Sequence, residues 1–349
     1  MEEYDKKLIK TIEYFGGILG RDIDAPKLAG LGANSRIYKI DNGTNFFALK
    51  FFRQSGESDN SRLNHEVMAL NFFSKRNIHN VPKLYGISKE SNCSLNEWIS
   101  GDSAEYSVNS GIDHLSAFLL EINDASSDDD LREHKKAIEA CLSPQDIIQQ
   151  INKRLEVHLA NDCMDSSIRN FLDGDILPFF NQNLETINSK YIQNGMNIVD
   201  EIQLSEQILS PVDFGFHNIL INKHNAPVFI DFEFFGRDDP VKLISDLILH
   251  PHPKMQISND DKLSLKEDCF KIYRDKDIEF LEFRFNSLFN LYLMRWIMIM
   301  MNIYDENYMF NGTREELLVL RKKKITEIKN YFEKNQFFLR KFIQKNING

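Results

Sequence analysis

Residues 210 to 234 read SPVDFGFHNILINKHNAPVFIDFEF. Two apolar runs, NILI and PVFI, flank a short polar segment, a pattern that predicts an antiparallel hairpin. Three oxygen-bearing side chains, Asp213, Asn218 and Asp231, stand at its ends. Few folds place carboxylates and an amide beside strands as apolar as these. The hairpin therefore constrains what the rest of the chain can build around it.

If Lys223 to Ala226 form the loop and Asn222 pairs with Pro227, Asn218 falls opposite Asp231, with Cα atoms about 5 Å apart. An amide oxygen and a carboxylate at that separation can share one Mg2+, which takes oxygen ligands and keeps several waters. Asp213, in the loop before the first strand, can reach the same point and accept a proton from a hydroxyl. Other pairings of the loop remain open, and a slip of one residue would turn Asn218 or Asp231 to the other face. A plain hairpin with polar ends is the competing reading.

The rest of the chain divides into two regions. Helical spacing of Leu8, Ile9, Ile12, Phe15 and Leu19 predicts a first helix over residues 3 to 20. RIYKID and TNFFALKFF flank Asn42-Gly43, a strong signal for a tight hairpin. SRLNHEVMALNFFSKRN is helical, and VPKLYGIS and CSLNEWI are short strands. From about residue 106 the pattern is mostly helical apart from the 210–234 hairpin. A β-rich part over residues 1 to 100 thus precedes a larger helical part over 101 to 349, and 349 residues suit two such bodies.

Composition excludes several classes. A net charge of −10 argues against a sequence-independent nucleic-acid binder. Cys93, Cys141, Cys163 and Cys269 are scattered, with no metal-binding pair and no disulfide framework. The charged start MEEYDKKLIK has no apolar signal core. LYLMRWIMIMM, residues 291 to 301, is too short to span a bilayer, carries Arg295 and is expected as a buried helix. No membrane partner is expected, and the cytoplasm is the default location.

In the first hairpin, Asn42-Gly43 as a two-residue turn pairs Asp41 with Thr44, Ile37 with Ala48 and Ser35 with Lys50. Directly opposed residues share a face. Ser35 ends GLGANS, where Gly30 and Gly32 let backbone N–H groups approach a phosphate. Lys50 beside that loop can hold phosphate oxygens, and Ile37 and Ala48 can sandwich a flat base. Glu66, on the following helix, can pair with Lys50 as in phosphoryl-transfer sites. Taken singly, each of these residues is as well explained by a solvated strand edge or an exposed helix face.

Together the residues resemble the aminoglycoside phosphotransferase and choline kinase family, small-molecule relatives of protein kinases, over roughly residues 28 to 305. VDFGFHNILI looks like the family's catalytic loop, and VFIDFEFFGRDDPVKLISDL like its metal-binding segment. FALKFF looks like the strand with the nucleotide lysine. The resemblance implies an α+β, protein-kinase-like, two-lobed fold with an antiparallel sheet in the N-lobe and a mainly helical C-lobe. It implies Asp213 as catalytic base, Asn218 and Asp231 as magnesium ligands, and Lys50 with its partner Glu66 on the nucleotide phosphates. LNEWISG resembles the linker between lobes, so the backbones of Glu97 and Ile99 would meet the adenine. The implied reaction moves the γ-phosphoryl group of ATP or GTP, with Mg2+, to a hydroxyl of an aminoglycoside, amino sugar, sugar or choline-like acceptor. Acceptor contacts would come from about residues 106 to 200 and 260 to 310, where Asp162, Asp165, Asp173 and Asp175 would suit a cation.

Three departures stand out. Pro211 occupies the place of the family's bracing His, and Asn123 ends a helix that usually closes on Leu-His. His217, beside Asn218, is unusual, and packing within its loop is the simplest reading. Glu233 either lines the cavity or is structural. The Pro211 change leaves one alternative, a pseudokinase-like module that binds nucleotide without turnover. A protein kinase fits poorly, because no Ala-Pro-Glu segment or activation-loop stretch follows Asp231.

Overall fold

The computed structural model describes residues 2–20, 23–32, 34–53, 61–105, 111–160, 165–305, 308, 310 and 312–343. Asp162 and Cys163 lie outside the described residues. The chain separates into two compact units. The first comprises Met1–Ser107, Glu133–Ile138 and Pro211–Gly236, and the second Val108–Arg132, Glu139–Ser210 and Arg237–Gly349. The 210–234 hairpin, expected with the helical region, thus groups with the N-terminal sheet.

The first unit is built on helix α1 (Glu2–Leu19) and five strands: β1 (Lys27–Leu31), β2 (Ser35–Asp41), β3 (Phe46–Phe52), β4 (Leu84–Ser88) and β5 (Cys93–Glu97). Their sheet order is β1-β2-β3-β5-β4, and every neighbouring pair is antiparallel. Strand alternation sorts β3 into two faces. Phe47, Leu49 and Phe51 join Ile40, Cys93, Leu95 and Phe15 of α1 in a buried core. Ala48, Lys50 and Phe52 take the other face. Leu8, Ile12 and Leu19 pack on this core while Ile9 is exposed, so the helical stripe is narrower than its apolar residues suggest.

The β2–β3 register differs from the expected one. Asp41 pairs with Phe46, Ile37 with Lys50 and Lys39 with Ala48. The turn therefore spans Asn42 to Asn45, closed by the Asn42 side chain, which accepts from the backbone N–H groups of Thr44 (3.2 Å) and Asn45 (2.9 Å). The slip is two residues, so Ser35, Ile37, Ala48 and Lys50 still share one face.

Helix α2 (Ser61–Lys75) buries Leu63, Glu66, Ala69, Leu70 and Phe73. Past β5 the chain forms a short strand, Gly101–Ser103, which pairs with the Ile219–Asn222 strand of the hairpin. A Cβ at Gly101 would lie 2.2 Å from the Ile221 carbonyl oxygen, so only glycine permits this approach. The hairpin pairs Ile219 with Phe229 and Ile221 with Pro227. This is one residue out of the expected register. Asn222 through Ala226 form the loop, and the Asn222 side chain accepts from the N–H groups of His224 (2.9 Å) and Ala226 (3.1 Å).

The second unit is helical. Ile278–Met300 is its central helix, packed against Pro144–Leu159, Leu177–Gln193 and Pro240–Leu249. It contains the apolar run that starts at Leu291, and most of that run is buried, as expected. Pro240–Leu249 starts with Asp239 as N-cap and Pro240 in its first turn, and all ten of its residues are buried. No helix among the described residues is long and apolar enough to cross a membrane. Cys93, Cys141 and Cys269 are free and buried.

Candidate active site

Lys50 lies mid-strand in β3, opposite Ile37 on one side and Ser94 on the other, and is 4% exposed. Its ammonium forms ion pairs with Glu66 of α2 and with Asp231 (2.7 Å), and lies 3.5 Å from Glu233. Burial alone would pull the Lys50 pKa down, but the charges of Asp231, Glu66 and Glu233 outweigh it and hold the amine protonated. Burial raises the Glu66 carboxyl, opposed by Lys50. The second Glu66 oxygen accepts from Asn96 Nδ2 (3.0 Å), which also lies 3.0 Å from Ser94 Oγ. Sequence reasoning misses Ser94 and Asn96. Their signal is the polar alternation in CSLNE, which turns them away from the core that takes Cys93 and Leu95.

Asp231 follows the hairpin's second strand, with φ +68°. That left-handed conformation is costly for a residue with a side chain, and its neighbours hold it in place. Phe232 packs edge-on against Phe73 of α2 at 4.8 Å between ring centroids. Phe235 meets Phe72 and Phe73, and its carbonyl lies 2.6 Å from His65 Nδ1. The segment after Asp231 is thereby clamped to the helix that carries Glu66.

Glu233 is buried between two cations, with oxygens 3.5 Å from Lys50 Nζ and 3.5 Å from Arg62 Nε. Burial pushes its carboxyl up to about 7; Lys50 opposes this and the Asp231 and Glu66 charges add to it. Its Oε2 is buried and makes no hydrogen bond among the described residues.

Asp213 lies in the loop before the hairpin, directly after Val212, which has φ +64°. A β-branched residue there is a genuine outlier and marks a constrained loop. Asp213 is partly exposed, and its Oδ1 lies 3.1 Å from His217 Nε2. His217 therefore does more than fill the loop: it touches the carboxylate predicted to act as base. Asn218 Nδ2 donates to the Asp213 carbonyl (2.8 Å), which leaves Asn218 Oδ1 as the atom to offer a cation. The predicted direct opposition of Asn218 and Asp231 does not occur. Ile230 stands across from Asn218, its N–H donating to the Asn218 carbonyl (3.0 Å).

A cavity of about 270 Å³ is lined by Gly30, Ile37, Ala48, Lys50, Glu66, Glu97, Ile99 and Asp231. These are eight of the residues singled out from sequence. Leu220 and Ile230 of the hairpin and Trp98 add apolar lining that sequence reasoning misses. Gly32 and Ser35 do not line it; the Gly32 N–H donates to the Ser35 carbonyl (2.9 Å) within the β1–β2 turn. Asp213 and Asn218 are also outside the lining. The Glu97 N–H is taken by the Lys83 carbonyl (2.8 Å). Asp231 and Glu233 place carboxylate oxygens beside Lys50, donors of the kind that Mg2+ takes.

No family model and no curated protein matches the sequence. Solved structures do. Choline kinase LicA from Streptococcus pneumoniae is 15% identical with a TM-score of 0.55, covering 94% of this chain and all of that one. An aminoglycoside phosphotransferase from Alicyclobacillus acidocaldarius is 14% identical with a TM-score of 0.56, covering 93% of this chain and 92% of that one. Spectinomycin phosphotransferase, solved with ADP and spectinomycin, is 14% identical with a TM-score of 0.55, covering 92% and 97%. The chain has the fold of these kinases. The expected α+β, protein-kinase-like architecture is therefore correct, and the Lys50–Glu66–Asp231 cluster belongs to a kinase-type fold.

Proposed function

We propose that the protein is a phosphotransferase that moves the γ-phosphoryl group of ATP or GTP, with Mg2+, to a hydroxyl of a small molecule. The observation that carries this reading is Lys50, buried against Glu66 and Asp231 on the wall of a cavity lined by Ile37, Ala48 and Leu220. The cluster holds a permanent cation beside oxygen donors at the edge of an apolar slot, as nucleotide binding requires.

In this reading Lys50 meets phosphate oxygens, with Glu66 fixing its position. The backbone of the Gly30–Ser35 turn would approach the phosphates. Asp231, Asn218 Oδ1 and Glu233 would hold magnesium, which neutralises charge on the transferring group. Asp213 orients the acceptor hydroxyl and takes its proton. The acceptor oxygen bonds to the γ-phosphorus, the bond to the β-phosphate oxygen breaks, and the nucleoside diphosphate leaves. Catalysis of this type rests on positioning and electrostatics. Among the similar structures are kinases named for choline, ethanolamine and spectinomycin, so amine-bearing alcohols are the first acceptors to try.

The test combines nucleotide binding with an acceptor screen read by mass spectrometry. Asp213→Asn should lower transfer by ~10²–10⁴-fold, the usual worth of a general base, with nucleotide affinity unchanged. Full transfer by that variant would remove Asp213 from its role. Wild-type protein that binds nucleotide but phosphorylates no acceptor would favour the module without turnover.

A further inference from the structure

Glu66 meets two donors, one on each carboxylate oxygen. Oε2 pairs with Lys50, and Oε1 accepts from Asn96 Nδ2 (3.0 Å). Among the described residues Asn96 is the only hydrogen-bond donor to Oε1. An ionised carboxylate only accepts, so the Asn96 amide must turn its nitrogen toward Glu66. The same nitrogen donates to Ser94 Oγ (3.0 Å), so both of its N–H bonds have an acceptor.

Strand alternation puts Ser94 and Asn96 on the face of β5 that adjoins Lys50, with Ser94 opposite Lys50 and Asn96 opposite Ala48. Both are buried. Asparagine is disfavoured in strands, and burying its amide is costly unless the amide is hydrogen-bonded. The bond to Glu66 supplies the reason for an amide at this place.

Lys50 cannot fix Glu66 by itself. Three carboxylates, Glu66, Asp231 and Glu233, share its one ammonium. Asn96 bonds to Glu66 and to neither of the other two among the described residues. It therefore ties α2 to β5 at the side chain that pairs with the lysine of β3.

We infer that Asn96 is a positioning residue for nucleotide binding. Braced by Ser94, it holds Glu66, and through Glu66 the Lys50 ammonium, at the place where phosphate oxygens bind. The inference rests on the phosphotransferase reading, in which Lys50 meets those oxygens.

Asn96 also lines the cavity, so its replacement could act by reshaping the apolar slot. The experiment separates the two effects. The full chain is titrated calorimetrically, without metal, with ADP or GDP and with the matching nucleoside, which carries no phosphate for Lys50 to meet. Asn96→Leu keeps the size of the side chain and removes the donor. It should weaken diphosphate binding about tenfold, the worth of one hydrogen bond to a charged group, and leave nucleoside binding unchanged. Glu66→Ala should weaken diphosphate binding at least as much. In the Glu66→Ala background Asn96→Leu should cost nothing further, because the group it acts through is gone. Asn96→Thr, whose shorter side chain withdraws the donor, replaces Asn96→Leu if that variant does not fold. Equal losses for diphosphate and nucleoside would assign Asn96 to the slot, and additive losses with Glu66→Ala would separate it from Glu66. Either result overturns the inference, as does an unchanged diphosphate affinity, and each leaves the phosphotransferase reading standing. Wild-type protein that binds neither diphosphate would overturn both together.

Discussion

Lys50 and Lys242 are each buried and each paired with more than one carboxylate, but the charges around them balance differently. Lys242 bridges Asp238 (3.1 Å) and Asp246 (3.2 Å), one helical turn away on either side. Asp246 also meets Arg295 (3.3 Å), and Arg295 and Arg154 both reach Glu139. Three acids therefore face three bases. Asp238 further accepts the backbone N–H groups of Cys141 and Asp239. Around Lys50, three carboxylates face two cations, Lys50 and Arg62, and Asp231 is a third exposed and opens onto a cavity. Burial pushes Glu233 up to about 7, against the pull of Lys50, and the Asp231 and Glu66 charges add to the rise. A closed, balanced network joins helices. An open one with surplus carboxylate has room for another cation.

The sharpest way to break this contrast is to remove each lysine. Lys242→Met leaves Asp238 and Asp246 buried with one cation fewer, and should cost about 3–5 kcal/mol in a denaturant titration. Lys50→Met should cost roughly half as much or less, because Glu233 readily protonates, Arg62 remains and Asp231 reaches solvent. Equal losses would mean that both clusters are structural, and the distinction between them would fail.

The pH dependence of stability sharpens the contrast further. The Glu233 carboxyl rises from 4.5 to about 7 on folding. Below 4.5 it is protonated in both states. Between 4.5 and 7 the native protein keeps a proton that the unfolded chain releases, so stability falls as pH rises through this window. The loss is on the order of 2–3 kcal/mol. Unfolding in chelator from pH 4.5 to 8 should show that fall, and Glu233→Gln should flatten it. A wild-type curve with the same slope as the variant would show that Glu233 keeps no extra proton on folding.

Much of the Lys50 cluster is legible in the sequence. Lys50 and the apolar pair Ile37 and Ala48 follow from strand alternation, which depends on parity more than on exact pairing, whereas Glu66 and Asp231 are picked out by the resemblance to the kinase family. Both hairpin registers depart from expectation for one physical reason. Each loop opens on an asparagine, Asn42 or Asn222, whose side-chain oxygen accepts two backbone N–H groups and lengthens the turn. The first slip, of two residues, moves no side chain to another face. The second, of one residue, replaces Asp231 with Ile230 opposite Asn218. The left-handed conformations of Val212 and Asp231 have no local signal, since neither dipeptide context calls for one. At Asp231 the packing of the next residue, Phe232, on Phe73 holds the conformation in place.

The smallest expected effect concerns His217. Its sequence context suggests loop filling, yet its Nε2 lies 3.1 Å from Asp213 Oδ1. A hydrogen bond to a carboxylate is worth about 1.5–3 kcal/mol, and partial exposure of Asp213 trims it toward the lower end. If His217 holds Asp213 in place, His217→Ala should lower kcat about tenfold and leave the nucleotide KM unchanged. Glutamine can present an N–H at a similar reach, so His217→Gln should recover most of that loss. Steady-state kinetics on the three proteins separate the outcomes. Equal losses in both variants would assign His217 a role that needs the imidazole itself, and no loss in either would return it to packing.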